Sequence, residues 1–177
     1  MNFIKTDIED VIVIEPRVHL DPRGFFFESY QKKIFAENGI KDDFVQDNVS
    51  SSARGVLRGL HYQIAPRGQA KLMRVLRGSV FDVAVDIRPD SKTFGKFVSV
   101  VLSAENKKML YIPAGFAHGF CVMEEGTEFM YKVSDYYSPE HERGVLWNDP
   151  ALAIPWPKLD RAFVLSDKDK RYSVLKA

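Results

Sequence analysis

Apolar residues in this chain recur at every second position over short runs, and that period constrains the fold more than any other feature. Val80–Ile87 puts Phe81, Val83, Val85 and Ile87 on one face and Asp82, Ala84 and Asp86 on the other, the pattern of a half-buried strand. Further runs read as strands at Val11–Ile14, Phe25–Tyr30, Phe44–Val49, Val56–Gln63, Ala70–Arg77, Phe97–Leu102, Met109–Ile112, His118–Met123 and Glu128–Val133. Turn-like stretches such as Arg77-Gly78-Ser79, Pro89-Asp90-Ser91 and Pro113-Ala114-Gly115 separate them. Short strands at roughly 8–12-residue spacing predict an all-β sandwich or barrel. One helix is expected, Gln31–Asn38, with Ser29 placed to cap its start and Gly39 where a left-handed C-cap belongs. From Pro139 the chain is broken by Pro150, Pro155 and Pro157, so the tail should wrap the barrel in short pieces, with a helical turn starting at Ser166-Asp167-Lys168-Asp169. No repeat or linker divides residues 1–177, which read as a single domain.

Composition narrows the function. The 25 Lys and Arg nearly balance the 24 Asp and Glu, so no global field collects nucleic acid or an anionic membrane. An anionic ligand must be held by locally placed cations. The lone Cys121 leaves no internal disulfide and fits a reducing compartment. The N-terminus carries acids where a signal peptide carries an apolar core, and no apolar run approaches the ~18 residues of a membrane span. The expected location is the cytoplasm.

Four polar residues occupy positions that alternation assigns to the interior. Tyr131 shares a face with Phe129 and Val133, His118 with Phe120 and Val122, Lys71 with Met73 and Val75, and His61 with Leu57 and Gln63. Each alone has a structural explanation: a core Tyr with its hydroxyl bonded, a satisfied core His, a Lys at a strand end. Four together, on four strands, point to a lined cavity, because unpaired burial would cost a few kcal/mol each. In Arg54–Gln63, strict alternation sends Arg58 and His61 to opposite faces, so a shared site requires a kink at Gly59; the alternative is a Gly-rich hairpin with surface arginines. Metal binding lacks support: Gln63 stands where a second closely spaced His would, His118 is remote, and His19 and His141 fall in expected loops. No phosphate-cradling glycine loop or GxSxG elbow occurs, and Cys121 has no evident activating neighbour.

Several ordered segments are identified as those of a known family: DPRGFFFESY (Asp21–Tyr30), FVQDN (Phe44–Asn48), VLRGLHYQ (Val56–Gln63), GQAKLMRV (Gly68–Val75), VFDVAVDIRPDSKTFG (Val80–Gly95), LSAENKKMLYIPAGFAHGF (Leu102–Phe120), EFMYKVSDYYSPEHERG (Glu128–Gly144), LWND (Leu146–Asp149) and LSDKD (Leu165–Asp169). Along nearly its whole length the chain resembles the dTDP-4-dehydrorhamnose 3,5-epimerases of the cupin superfamily. The resemblance implies a jelly-roll homodimer without metal or organic cofactor, acting on a thymidine-diphosphate 4-keto-6-deoxyhexose and inverting C3 and C5. By the same resemblance His61 matches the general base, Asp169 (with Asp167 as the neighbouring alternative) the carboxylate that orients it, Tyr131 the general acid on the opposite face, and Lys71 the cation beside the enolate oxygen. His118 matches a contact to the sugar. Arg23, Glu28, Gln46, Asn48 and Arg58 match positions that hold nucleotide and diphosphate; Glu142, Lys168 and Tyr137 complete the binding set. The Arg23–Glu28 segment is expected to reach across the dimer, so that each site is shared. Two other readings stay open: a related nucleotide-sugar enzyme, either a C5-only epimerase or a 3,4-ketoisomerase, and a metal-binding or noncatalytic cupin module.

Overall fold

The computed structural model describes residues 1–176; Ala177, the end of the expected domain, lies outside the described residues. Thirteen strands and one helix follow in order: β1 Asn2–Lys5, β2 Ile12–Glu15, β3 His19–Asp21, β4 Gly24–Phe26, α1 Lys32–Glu37, β5 Gln46–Ser52, β6 Leu57–Gln63, β7 Lys71–Arg77, β8 Ser79–Asp86, β9 Phe97–Ser103, β10 Met109–Ile112, β11 Phe116–Val122, β12 Thr127–Val133 and β13 Glu142–Gly144. A strand with one apolar face must bury it against another layer. Here an antiparallel six-stranded sheet, β1-β2-β10-β7-β12-β5, meets a five-stranded one, β13-β6-β11-β8-β9, as a double-sheet jelly roll. Their inner faces share one core: Met73, Val75, Leu110, Ile112 and Phe129 from the first sheet, and Val80, Ala84, Val98, Leu102, Phe116, Phe120 and Val122 from the second. β3 and β4 form a separate hairpin.

Several expectations change. β8 is buried on both faces rather than one. The face with Val80, Asp82 and Ala84 looks into the barrel, while Val83 and Val85 pack outward against Val145, Leu152 and Trp156 of the tail. The wrapping tail hides the second face, which local alternation does not report. The Phe25–Tyr30 strand ends at Phe26, because Tyr30 turns edge-on into Phe35 and Phe44, with ring centroids 4.9 and 5.5 Å away. Gln31, not Ser29, occupies the N-cap of α1, and it makes no side-chain cap bond, so apolar packing starts the helix. Gly39 does end it: at φ +92° it donates to Ala36 O while Ile40 N donates to Phe35 O, a Schellman closure with Phe35 and Ile40 buried together. β1, β3 and β13 are not marked in the sequence because Asn2–Lys5, His19–Asp21 and Glu142–Gly144 are short and carry at most two apolar residues, and His19 therefore sits in a strand rather than a loop.

The kink required at Gly59 is present. His118 pairs with His61 and Phe120 with Arg58, so β6 takes three steps where β11 takes two (58 to 61 against 118 to 120). Gly59 adopts φ +135°, and a Cβ on it would lie 2.5 Å from Gly119 Cα. A Cβ on Gly119 would lie 2.8 Å from Arg58 O, so the strands cross glycine to glycine. The extra residue shifts the phase of β6, and Arg58 rather than Leu57 lines one cavity with His61. Gly59→Ala is expected to destabilise the protein by about 2–4 kcal/mol, through the left-handed φ and the backbone clash. Urea denaturation measures this, and a wild-type midpoint would contradict the close approach.

Candidate active site

The cleft between the sheets has two lobes. The outer, about 240 Å³, is lined by Gln46, Asn48, His61, Tyr62, Gln63, Gln69, Lys71, Tyr131, Tyr137 and Glu142. The inner, about 150 Å³, is lined by Ser50, Arg58, His61, Lys71, His118, Phe120 and Tyr131. His61, Lys71 and Tyr131 belong to both, so they stand at the junction. Alternation, with the Gly59 kink in β6, explains the supply. The six-stranded sheet sends in Gln46, Asn48 and Ser50 from β5, Lys71 from β7 and Tyr131 from β12. The five-stranded sheet sends in Arg58, His61 and Gln63 from β6, His118 from β11 and Glu142 from β13. His61 and Tyr131 therefore come from opposite walls.

His61 Nε2 lies 2.6 Å from Oδ1 of Asp169, a buried carboxylate that also accepts from Gly59 N at 3.4 Å. Burial pushes Asp169 up, but its bonds to His61, Gly59 and Ser166 outweigh that and hold it below the usual carboxylate range. Asp167 is turned outward, 84% exposed, and pairs with Lys170. Of the two carboxylates weighed, Asp169 is the one in contact with His61.

Lys71 is buried, donating to His61 O at 3.3 Å. Burial brings its ammonium down to about 8, against the opposing pull of Asp82 and Glu142. Burial likewise raises the Tyr131 phenol, so it keeps its proton at neutral pH. His118 Nε2 contacts both oxygens of fully buried Asp82, at 3.0 and 3.1 Å. Burial drives His118 down, with Lys71 and His61 adding to it and Asp82 opposing.

At the mouth, Tyr137 OH donates to Glu142 Oε2 at 3.1 Å, and Lys168 Nζ to Glu142 Oε1 at 2.8 Å. Gln46 bonds Asn48 at 2.9 Å and accepts from Tyr137 N at 3.2 Å. Eleven of the thirteen candidates weighed in the sequence thus fall on the cleft or on groups bonded to its lining, leaving aside Asp167. Arg23 and Glu28 do not. Arg23 pairs with Asp21 at 2.6 Å with its side chain 90% exposed, and Glu28 accepts from Gln31 at 3.4 Å.

Sequence reading missed Asp82, which alternation placed with solvent-facing residues. It also missed Gln63 as a clip: its amide accepts from Ser138 N at 2.7 Å and donates to Arg67 O at 2.6 Å, fixing the loop that carries Tyr137. Ser50 Oγ is buried with no hydrogen-bond partner among the described residues. Among those residues, no three His, Cys, Asp or Glu side chains come together as a metal-binding group. Cys121 is buried, its thiol pushed up to about 11.

Fold and cleft together define a cupin-type barrel enzyme. The comparisons specify which. The family model for dTDP-4-dehydrorhamnose 3,5-epimerase matches residues 5–177, and the chain belongs to that family. It is 58% identical to the dTDP-4-dehydrorhamnose 3,5-epimerase of Shigella flexneri over 170 residues, covering 96% of this chain and 93% of the relative. The crystal structure of dTDP-6-deoxy-D-glucose-3,5-epimerase from Legionella pneumophila, in complex with dTDP-4-keto-L-rhamnose, superposes with a TM-score of 0.94 at 53% identity, covering 98% of this chain and 92% of that one. A 3'-monoepimerase from Streptomyces bikiniensis in complex with dTDP-quinovose is similar at 36% identity and a TM-score of 0.91, covering 97% and 86%.

A buried ammonium opposes folding. Because the folded protein holds Lys71 near 8 and the unfolded chain near ~10.4, the unfolded state binds more protons between those values, and stability should rise as pH climbs through that window. Lys71→Met is expected to stabilise the protein at pH 7 by about 1–3 kcal/mol and to remove that rise. Denaturation midpoints at pH 7 and pH 10 test it; a destabilised variant would show that the lysine is better paired than its surroundings indicate.

Proposed function

We propose that this cleft epimerises dTDP-4-keto-6-deoxyglucose at C3 and C5, giving dTDP-4-keto-L-rhamnose. One observation carries the reading: His61 and Tyr131 line one cleft from opposite sheets, and Lys71 lines it with them. Protons at C3 and C5 are acidic because the adjoining C4 ketone delocalises the resulting carbanion as an enolate. Inversion needs a base on one face of the ring and an acid on the other. His61, oriented by Asp169, takes the proton. Lys71, positive below about pH 8, faces the enolate oxygen. Tyr131 returns a proton to the opposite face, and burial keeps its phenol in the donating form. Each centre thus loses one proton to His61 and gains one from Tyr131, with no net change in composition.

His118, held by Asp82, contacts the sugar from the inner lobe. Gln46, Asn48, Tyr137, Glu142 and Lys168 at the mouth, with Arg58 from the inner lobe, receive the nucleotide and diphosphate, placed cations replacing a global field. Arg23 and Glu28 serve the site of a second copy. The hairpin that carries Arg23 supports this: Leu20, Phe25 and Phe26 are 81%, 61% and 66% exposed, an apolar surface suited to a homodimer interface. We place the protein in the cytoplasm; among the described residues no helix is long and apolar enough to cross a membrane.

Incubation in heavy water with NMR of the sugar counts inverted centres. Deuterium at both C3 and C5 is expected; one label alone would indicate a monoepimerase. His61→Asn should abolish exchange, whereas Tyr131→Phe should cut net inversion by roughly 10²–10⁴-fold and exchange by less. Retained exchange in His61→Asn would remove it from the base role. The rate should fall as pH rises through about 8, where Lys71 loses its charge.

Phe26→Asp is expected to yield monomers in sedimentation velocity and to weaken substrate binding. Monomeric wild-type protein would sink the shared site.

A further inference from the structure

On the β13 side of its strand, unlike the β11 side where it faces His118, His61 meets no side chain. Its partner on β13 is Gly144. The space beside that glycine is filled by Tyr172 from the tail: a Cβ on Gly144 would lie 2.4 Å from Cε2 and Cζ of the Tyr172 ring. The same ring meets the His61 imidazole edge-on, with centroids 5.8 Å apart and planes at 68°. His61 is therefore bounded on one side by the Asp169 hydrogen bond and on another by an aromatic wall, both from one stretch of tail. That stretch is pinned independently of the cleft. Leu146 N donates to Ser173 O at 2.8 Å, and Leu175 N donates at 2.6 Å to Oδ2 of the buried Asp149.

We infer that Tyr172 is a positioning residue for His61, acting through its ring and requiring glycine at 144. The inference rests on His61 as the base of the proposed epimerisation. An imidazole tied only by a hydrogen bond to Asp169 can still swing about that bond, and the Tyr172 ring closes that freedom. Angular error at the base costs rate more than affinity, and Tyr172→Phe separates the ring from the hydroxyl, which neighbours Lys168 at the mouth.

The test combines kinetics with a readout independent of turnover. Tyr172→Ala should lower kcat roughly 10–100-fold with KM little changed, Tyr172→Phe should keep the wild-type kcat, and Gly144→Ala, by displacing the ring, should copy Tyr172→Ala. In NMR spectra of the ligand-free protein, the His61 ring protons should lose the Tyr172 ring-current shift in Tyr172→Ala and retain it in Tyr172→Phe. Wild-type kcat in Tyr172→Ala or in Gly144→Ala would overturn the inference. So would a Tyr172→Phe variant as slow as Tyr172→Ala, or an unmoved His61 resonance. Absence of turnover in the wild type would instead refute the epimerase reading, and the NMR comparison would still decide the ring contact.

Discussion

The close approach of Gly59 to Gly119 is the contact on which the cleft depends. Where two strands cross with no Cβ between them, β6 can take an extra residue without leaving its pairing with β11. That residue changes the phase of the strand, so a cation and an imidazole that alternation would separate enter the same space. An L-residue at either glycine would press a side-chain carbon against backbone atoms of the facing strand, which cannot yield as a flexible side chain would.

The cleft adjoins the apolar core, sharing Phe120 and Tyr131 with it, and it is built at a cost to stability. Lys71, His118 and Asp82 are all buried, and only the last two satisfy each other directly. A lysine in such surroundings has its charged form disfavoured, and its lowered affinity for the proton brings its loss of charge close to neutral pH. The tail does complementary work. It covers the outer face of β8, and it brings the Asp169 carboxylate to a histidine 108 residues earlier in the chain.

Much of the molecule could be read from residue order. Two-residue periodicity identified the long strands because inward and outward environments differ on each. The inward placement of Tyr131, His118 and Lys71 followed directly, since β7 and β12 keep phase from Lys71 to Val75 and from Phe129 to Val133, and β11 pairs without a break to β8. His61 lies on the irregular strand, where order alone could state only that a kink was needed. Asp82 was misjudged because alternation distinguishes two faces without saying which is solvated, and on β8 neither is. Alternation turned Gln63 inward without giving it a role, and Tyr172 carries no local signal; their roles arise from contacts with the 136–138 loop and with His61.

The sequence by itself determined the all-β class, the alternating supply of side chains to a common interior, and, through many ordered motifs, the family. Those are properties of short-range period and residue identity. Tertiary structure alone decided that Asp169 rather than Asp167 meets His61, that both faces of β8 are dry, and that Arg23 and Glu28 stand away from the cleft of their own chain. Each depends on where a distant segment comes to rest, which is settled by packing the two sheets and the tail together and not by the period of any one strand.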